Sequence, residues 1–501
     1  MRHHASLALA FTLALTACNT VDVVGGSPPR ATGPFAVFCD DAIDDVYAAP
    51  APAADDEDAG ATPPGALLDG QACSGPGACT KCATDAPLSL HDVVTALHGS
   101  GNDAKTAASG VSVFHVAFRT TRLAAGLGPA SGVSSALVLV PDHVVDAHVA
   151  VVTSHRTTGF ADQCAPSLAD PTAPGDEDAT VNLAIASHGY VTIAVDGAGY
   201  FYGGEPSGFL LAEDEAHALL DATRALANLF PKEMKPERVF LVGFDRGGHA
   251  ALSAQALAGS YGLEGELAGV AAFAPIWVAP RTFGAALSGA GGLTIEGPGE
   301  ELAYDLLYFY GHGELYDGPG GGIAMIQDAK RADVKAAITT RCFADLATEA
   351  ASLATKASDL FDPTFVHQVS QCAVAGGGAA CHTGAAKTWN PRFSADRPNV
   401  DASGAPIVVW QGEADTTIPP NEATCGKDAL VRDLKGHEDR LTYCGDAGAT
   451  HGGVVERDVD WVVQWIDHAT GHGPAPKACP AFAPKDGMGQ PVACNPIPPN
   501  D

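Results

Sequence analysis

Between residues 111 and 444 the chain passes through short, almost wholly apolar runs at 111–122, 134–140, 148–153, 190–195, 239–243, 270–274, 406–411 and 441–444. A strand with one wet face alternates apolar and polar residues. Runs this short and uniformly apolar are expected for strands buried on both faces, as in a parallel sheet covered by helices. Helical patterns lie between them. Residues 213–229 put Ala216, Leu219, Leu220, Thr223, Leu226 and Ala227 on one face. They open on Glu213, Asp214 and Glu215, which suit the positive end of a helix, and stop before Pro231. Residues 454–468 carry Val455, Val459, Val462, Val463 and Ile466 as a second stripe. The expected class is α/β, a mostly parallel sheet flanked by helices.

The alternation breaks once. Residues 280–399 begin Gly-rich and continue in Ala-rich helical patterns. An insertion of that size between two sheet strands is expected to form a helical cap over the C-terminal edge of the sheet, where such sheets bind ligands. This divides the chain into a first core part at 86–279, a cap at 280–399, a second core part at 400–470 and a tail at 471–501. Residues 19–85 read as a flexible acidic, Ala/Pro-rich tether ending in a Cys-rich segment, with the run Asp55-Asp56-Glu57-Asp58 inside it.

The first 18 residues have the form of a secretory signal: Arg2, His3 and His4, an apolar run, then Leu15-Thr16-Ala17-Cys18. The ending resembles a bacterial lipobox, which implies lipidation of Cys18 and a chain anchored to the cell envelope, on the periplasmic or outer surface, without spanning the bilayer. The sequence has 13 cysteines, and those other than Cys18 are even in number, as suits an oxidising compartment. Cys425 and Cys444 flank one expected helix, Cys479 and Cys494 would close the Pro-rich tail, and Cys342 is expected to pair with Cys372 or Cys381. Cys79-x-x-Cys82 lacks the second pair or nearby histidines that a zinc site needs, so no metal is expected. With 28 basic against 59 acidic residues the net charge is −31, which argues against nucleic acid or anionic lipid as a partner. No Walker or dinucleotide motif occurs, so no cofactor is expected either.

The chemistry concentrates at Gly243-Phe244-Asp245-Arg246-Gly247, where an apolar run meets a helical pattern. The spacing is that of a nucleophile elbow, G-x-S-x-G, with Asp245 at the centre; the glycines are needed because backbone packs too closely there for side chains. Asp415 follows the run 406–411, and His451 lies in Gly448-Ala449-Thr450-His451-Gly452, before the last helix. The order Asp245, Asp415, His451 is that of nucleophile, acid and base in α/β-hydrolases.

These residues carry a resemblance to the α/β-hydrolase superfamily, and more narrowly to secretory lipases. In that family a strand ends in a His-Gly-Thr-Thr-Gly-like run, followed shortly by Cys-Ala-Pro-Ser. Here the corresponding residues are His155-Arg156-Thr157-Thr158-Gly159 and Cys164-Ala165-Pro166-Ser167. The resemblance spans about residues 111–470. It implies an α/β-hydrolase fold with a cap, a small apolar ester-like substrate, and an oxyanion hole supplied by the loop at Arg156 and Thr157 together with Arg246. Two residues depart from the pattern, Asp245 in place of Ser and Arg156 in place of Gly; Arg156 has two roles open to it, orienting an anionic substrate or neutralising Asp245 in a salt bridge, and the salt bridge would explain both departures as one paired change.

A carboxylate attacking an ester carbonyl would form an anhydride, which is less stable than the ester. Carboxylates do better against saturated carbon, as in α/β-hydrolases acting on epoxides or carbon–halogen bonds, and Asp245-Arg246-Gly247 resembles the elbow of haloacid dehalogenases. Three readings therefore stand. The first is a hydrolase of the lipase and esterase lineage with a modified Asp245–Asp415–His451 triad. The second is an Asp-nucleophile hydrolase of epoxides or organohalides. The third is an inactive pseudo-hydrolase that keeps the cleft for binding. Tyr304, Tyr308, Tyr310 and Tyr316 of the cap, and Trp277, are the candidate leaving-group donors.

Overall fold

The computed structural model describes residues 35, 39, 41–48 and 82–494, apart from 125–127, 202–205, 278–282, 285, 288–297 and 376–377. The signal segment, Cys18, Cys73 and Cys79 lie outside the described residues.

The apolar runs pair into one nine-stranded sheet: β1 (Cys82–Thr84), β2 (Val111–Ala124), β3 (Gly128–Pro141), β4 (Val149–Ser154), β5 (Val191–Ala198), β6 (Arg238–Phe244), β7 (Glu266–Phe273), β8 (Ile407–Gly412) and β9 (Leu441–Asp446). Their spatial order is β1-β2-β3-β5-β4-β6-β7-β8-β9. The first four strands in that order pair antiparallel and every later neighbour is parallel. The expected strands are all present. β2 and β3 form a longer hairpin than the sequence suggested, with Val111 opposite Pro141 and Ala124 opposite Gly128. The weak strand formers at 128–132 are drafted by pairing with β2, so tertiary context overrides propensity.

Helices cover both faces. On one lie α2 (Leu90–Gly99) and α3 (Glu177–His188) with the C-terminal helix α12 (Gly453–Thr470), burying Val455, Val459, Val462, Val463 and Ile466 against the sheet. The other carries α4 (Ala212–Leu229) and α5 (Arg246–Tyr261). Between β7 and β8 the chain builds a large helical insertion: α6 (Pro298–Asp317), α7 (Arg331–Thr340), α8 (Phe343–Leu353), α9 (Pro363–Ala375) and α10 (Gly384–Asp396). Its interior is aromatic: Phe309 packs on Trp389 at 4.9 Å between ring centroids and Tyr308 stacks on Phe283 at 4.2 Å. Helix α11 (Pro420–Asp433) follows β8.

Two sequence expectations change. The segment 19–85 is not a tether throughout: helix α1 (Ile43–Tyr47) and β1 pack on the core, and Cys39 bonds to Cys82. The disulfide pairing also differs. Cys425 joins Cys494 and Cys444 joins Cys479, so the tail is stapled to α11 and β9 rather than closed on itself. Cys342 pairs with neither Cys372 nor Cys381, which bond to each other; its partner is Cys164. Sequence separation carries no information on which thiols meet across a fold, because bridging requires Cα atoms within about 7 Å.

Candidate active site

The site grows from the turn between β6 and α5. Asp245 occupies it with φ 56° and ψ −116°, a conformation that non-glycine residues avoid and that costs on the order of 1–3 kcal/mol. The flanking glycines make it achievable: a Cβ on Gly243 would collide with the Gly247 carbonyl, and one on Gly247 with the Ser154 carbonyl at the end of β4. The turn lifts the Asp245 carboxyl above the sheet edge, where it is 2% exposed.

Each carboxylate oxygen of Asp245 meets a different environment. Oδ2 accepts from the Thr157 amide at 2.8 Å and from the Thr157 hydroxyl at 2.7 Å, and the Arg246 amide also donates to the carboxylate. Oδ1 is buried without an aligned hydrogen bond and faces His451 Nε2 at 3.3 Å as an ion pair. His451 Nδ1 in turn meets Asp415 Oδ2 at 2.9 Å. Asp415 is fixed by the amides of Thr417 and Ile418 at 2.9 and 2.8 Å and by the Gln411 side-chain amide at 2.8 Å. The three residues spaced along the sequence thus meet at the C-terminal edge of β6, β8 and β9.

Protonation follows from these contacts. Burial alone would lower the pKa of His451, but Asp415 and Asp245 outweigh it and push the imidazole up to about 10. Burial would raise Asp245, yet His451, the Thr157 hydroxyl and the Arg246 amide together hold it below its ordinary value. The resting site is therefore an imidazolium between two carboxylates.

Arg156 is not Asp245's counter-ion. Its guanidinium is bound by the first turn of α3, at 2.9 Å to Asp176, 2.9 Å to Glu177 and 3.6 Å to Asp178, and its amide donates to Asp178 at 3.0 Å. Of the residues expected to form the oxyanion hole, Thr157 and Arg246 direct amides at Asp245 and Arg156 directs its amide away. The Arg246 side chain is buried behind the turn, 2.7 Å from Glu215 and 2.6 Å from the Ser207 hydroxyl.

A cleft of about 390 Å³ opens over Asp245, lined by Thr157, Glu177, Phe244, His451 and, from the insertion, Glu300, Tyr304 and Phe343. The Cys164–Cys342 bond lies in its wall and ties the loop after β4 to the start of α8. Of the cap tyrosines, Tyr304 alone lines the cleft among the described residues, with its hydroxyl in reach of the Thr157 hydroxyl. Tyr308 bonds to Asp396 at 2.9 Å, Tyr310 packs near Phe160, and Tyr316 lies under Arg392. Trp277 packs at Gly426 of α11. Glu177, Glu300 and Phe343 were not singled out from the sequence; they reach the cleft only because α3 and the insertion fold over it. Among the described residues, no group of three or more His, Cys, Asp or Glu side chains could hold a metal ion, and no helix is long and apolar enough to cross a membrane.

Neither a protein-family model nor a curated protein matches the sequence. Solved structures do match. Lipase A of Candida antarctica aligns over 94% of both chains with a TM-score of 0.59 at 17% identity. The rice cell wall degrading esterase LipA of Xanthomonas oryzae aligns over 79% of this chain and 93% of its own, with a TM-score of 0.55 at 17% identity. The fold is that of an α/β-hydrolase. The sharp turn after the central strand β6 holds Asp245.

Proposed function

We propose that this α/β-hydrolase, related to secreted lipases and esterases, uses Asp245 where those enzymes use serine, and attacks a saturated electrophilic carbon instead of a carbonyl. The observation that carries this reading is the split environment of the carboxylate. Oδ2 already fills both Thr157 donors and the Arg246 amide is also spent on the Asp245 carboxylate, so an ester carbonyl has no free donor for its oxygen. Oδ1 accepts no aligned hydrogen bond and lies 3.3 Å from His451 Nε2, in a residue that lines the cleft. An epoxide or a carbon–halogen bond needs no oxyanion hole in the first step.

For an epoxide the steps balance as follows. Asp245 Oδ1 bonds to the ring carbon, the carbon–oxygen bond breaks, and the leaving oxygen takes the Tyr304 proton. Asp245 is now a neutral ester and no longer holds the proton on His451, which passes to the Tyr304 phenolate. The neutral His451, oriented by Asp415, then takes a proton from water as the water attacks Cγ of the ester. Negative charge develops on Oδ2, on the two Thr157 donors. The alkoxide leaves and takes up the carboxyl proton, so Asp245 returns as carboxylate and His451 as imidazolium. For a halide the leaving group departs as the anion and Tyr304 keeps its proton; His451 sheds its own to solvent once the ester has formed.

His451→Gln tests this reading, because the first step needs only Asp245 and the second needs the base. Incubated with styrene oxide or 1-bromobutane, that variant should accumulate an alkyl ester on the Asp245 peptide, read by mass. One turnover of the parent in ¹⁸O water should place ¹⁸O in Asp245. If neither substrate leaves an ester, the reading fails.

A second reading rests on the imidazolium itself: clamped between two carboxylates, His451 is no base in the resting state, as in a silenced esterase. Asp245→Ser decides it, since p-nitrophenyl acetate turnover appearing only in that variant would favour a scaffold kept for binding. The signal-like start and Cys18 support export and lipid anchoring at the cell envelope, which globomycin sensitivity of its processing would check.

A further inference from the structure

The rim of the cleft holds groups that the proposed chemistry does not use. Arg156, Glu177 and Glu300 line it together with the reacting residues. A carboxylate-bearing substrate, such as a haloacid, needs a guanidinium or ammonium free to receive it, in bidentate form where it is Arg. Two arginines stand close enough in sequence to Asp245 or the loop facing it to serve. Arg246 is turned away into a buried pair with Glu215 and the Ser207 hydroxyl. Arg156 is open to the cleft, 40% exposed, but its Nη1 donates to Glu177, its Nη2 to Asp176, and its Nε faces Asp178. The remaining cation in the cleft, His451, is held by Asp415 and Asp245. Every cation the described cleft presents is thus already matched by carboxylates, and the carboxylates outnumber them.

We propose that the cleft accepts uncharged or cationic electrophiles and turns away carboxylate-bearing ones, with Glu177 setting this preference by occupying Arg156 at the rim. The substrate class rests on the carboxylate-nucleophile reading; the charge selectivity does not. A low-dielectric cleft with a surplus of one charge focuses its field, and changes encounter rates of charged ligands by about 10–10³-fold. An anion entering here meets that field without a counter-ion, whereas a neutral epoxide or haloalkane meets only the apolar walls of Phe244 and Phe343. Glu177 acts through Arg156 and touches no reacting atom, so it is a positioning and selectivity residue.

The test has one arm that does not depend on turnover. Thr417 lines the cleft, and Thr417→Cys puts a thiol there. Its reaction rate with cationic trimethylammonioethyl thiosulfonate is compared with that of anionic sulfonatoethyl thiosulfonate, each divided by the rate on free cysteine, with the parent protein as background. The expected ratio is at least about tenfold in favour of the cation, shrinking as salt is raised. In Thr417→Cys with Glu177→Gln, which removes one carboxylate from the rim and releases Nη1 of Arg156, it should fall severalfold. A ratio of one or below in the single variant overturns the proposal, whether or not the double variant folds. The second arm exposes His451→Gln to propylene oxide, glycidyltrimethylammonium and glycidate, and follows ester formation on Asp245. Glycidate slower by about tenfold or more than both others is expected; glycidate as fast or faster overturns the substrate class. No ester from any of the three, with the thiol ratio intact, would sink the carboxylate-nucleophile reading and leave the charge selectivity standing.

Discussion

Two histidines lie beside the turn between β6 and α5, and their surroundings drive them to opposite protonation states. His451 lies between Asp415 and Asp245 and is pushed up to about 10 despite burial. His155, at the end of β4, is pushed down to about 4, first by burial and then by the Arg246 guanidinium. His155 also has two acceptors, the carbonyls of Arg156 at 2.5 Å and Asp196 at 2.9 Å, and a neutral ring can donate to only one of them. Carbonyl dipoles do not offset the loss of hydration of a full charge next to another cation; carboxylates do. What sets a buried histidine's charge is the net charge of its neighbours, not the number of acceptors it touches.

The largest effect is expected from Asp245→Asn, which removes both the proposed nucleophile and one of the two carboxylates on His451. Turnover should fall by about 10⁴-fold or more, and the His451 pKa, followed by NMR titration, should drop well below the value near 10 of the parent. A His451 that still titrates near its parent value would mean Asp415 alone holds the proton, and the contrast with His155 would need another cause.

Asp415→Asn should lower steady-state turnover by about 10²–10⁴-fold. Asp245 remains, so burst formation of the alkyl ester should persist while its hydrolysis slows. Loss of the burst as well would place Asp415 in the first step, contrary to the proposed sequence.

Stability against pH follows from the same pair. His451 binds its proton more tightly folded than unfolded, so its contribution is complete below about pH 6.5 and is lost as pH rises toward 10. His155 binds its proton less tightly when folded, so its contribution is complete above about 6.5 and is lost as pH falls toward 4. Each slope is at most about 1.4 kcal/mol per pH unit. These two contributions are both complete near pH 6.5; Glu422, pushed up to about 8 by burial, and Asp458, pushed up to about 7, add to the alkaline loss, so His451→Gln should reduce the alkaline limb of the denaturant midpoint without abolishing it. An alkaline limb unchanged in that variant would remove His451 as its source.

The smallest effect on the site should come from Arg156→Gln. The guanidinium is 40% exposed but Asp176, Glu177 and Asp178 are only 16%, 19% and 13% exposed, so leaving them without a cation should cost on the order of 1–3 kcal/mol of stability, with little change in the chemistry at Asp245. The Thr157 amide should stay on Asp245, leaving the His451 pKa in place. A His451 shift comparable to that of Asp245→Asn would show that Arg156 couples to the site more strongly than its contacts imply.

Sequence alone determined much of this molecule, because its apolar periodicity is a local property. Runs of Val, Ile, Leu and Ala too short and uniform for one-sided strands could only be buried on both faces, and the sheet follows from that. The glycines at 243 and 247 marked the elbow because close backbone approach excludes a Cβ, and Asp415 and His451 were legible because they follow strands whose ends meet at one edge. Tertiary structure decided everything that depends on which loops meet. Arg156 was expected on Asp245 and instead serves the first turn of α3, some 20 residues onward. Cys342 found Cys164 across 178 residues. Glu177, Glu300 and Tyr304 became neighbours only when the insertion folded over the sheet. Electrostatic partners and disulfides are set by distances of a few ångströms between segments far apart in the chain, and no local pattern of residues encodes those distances.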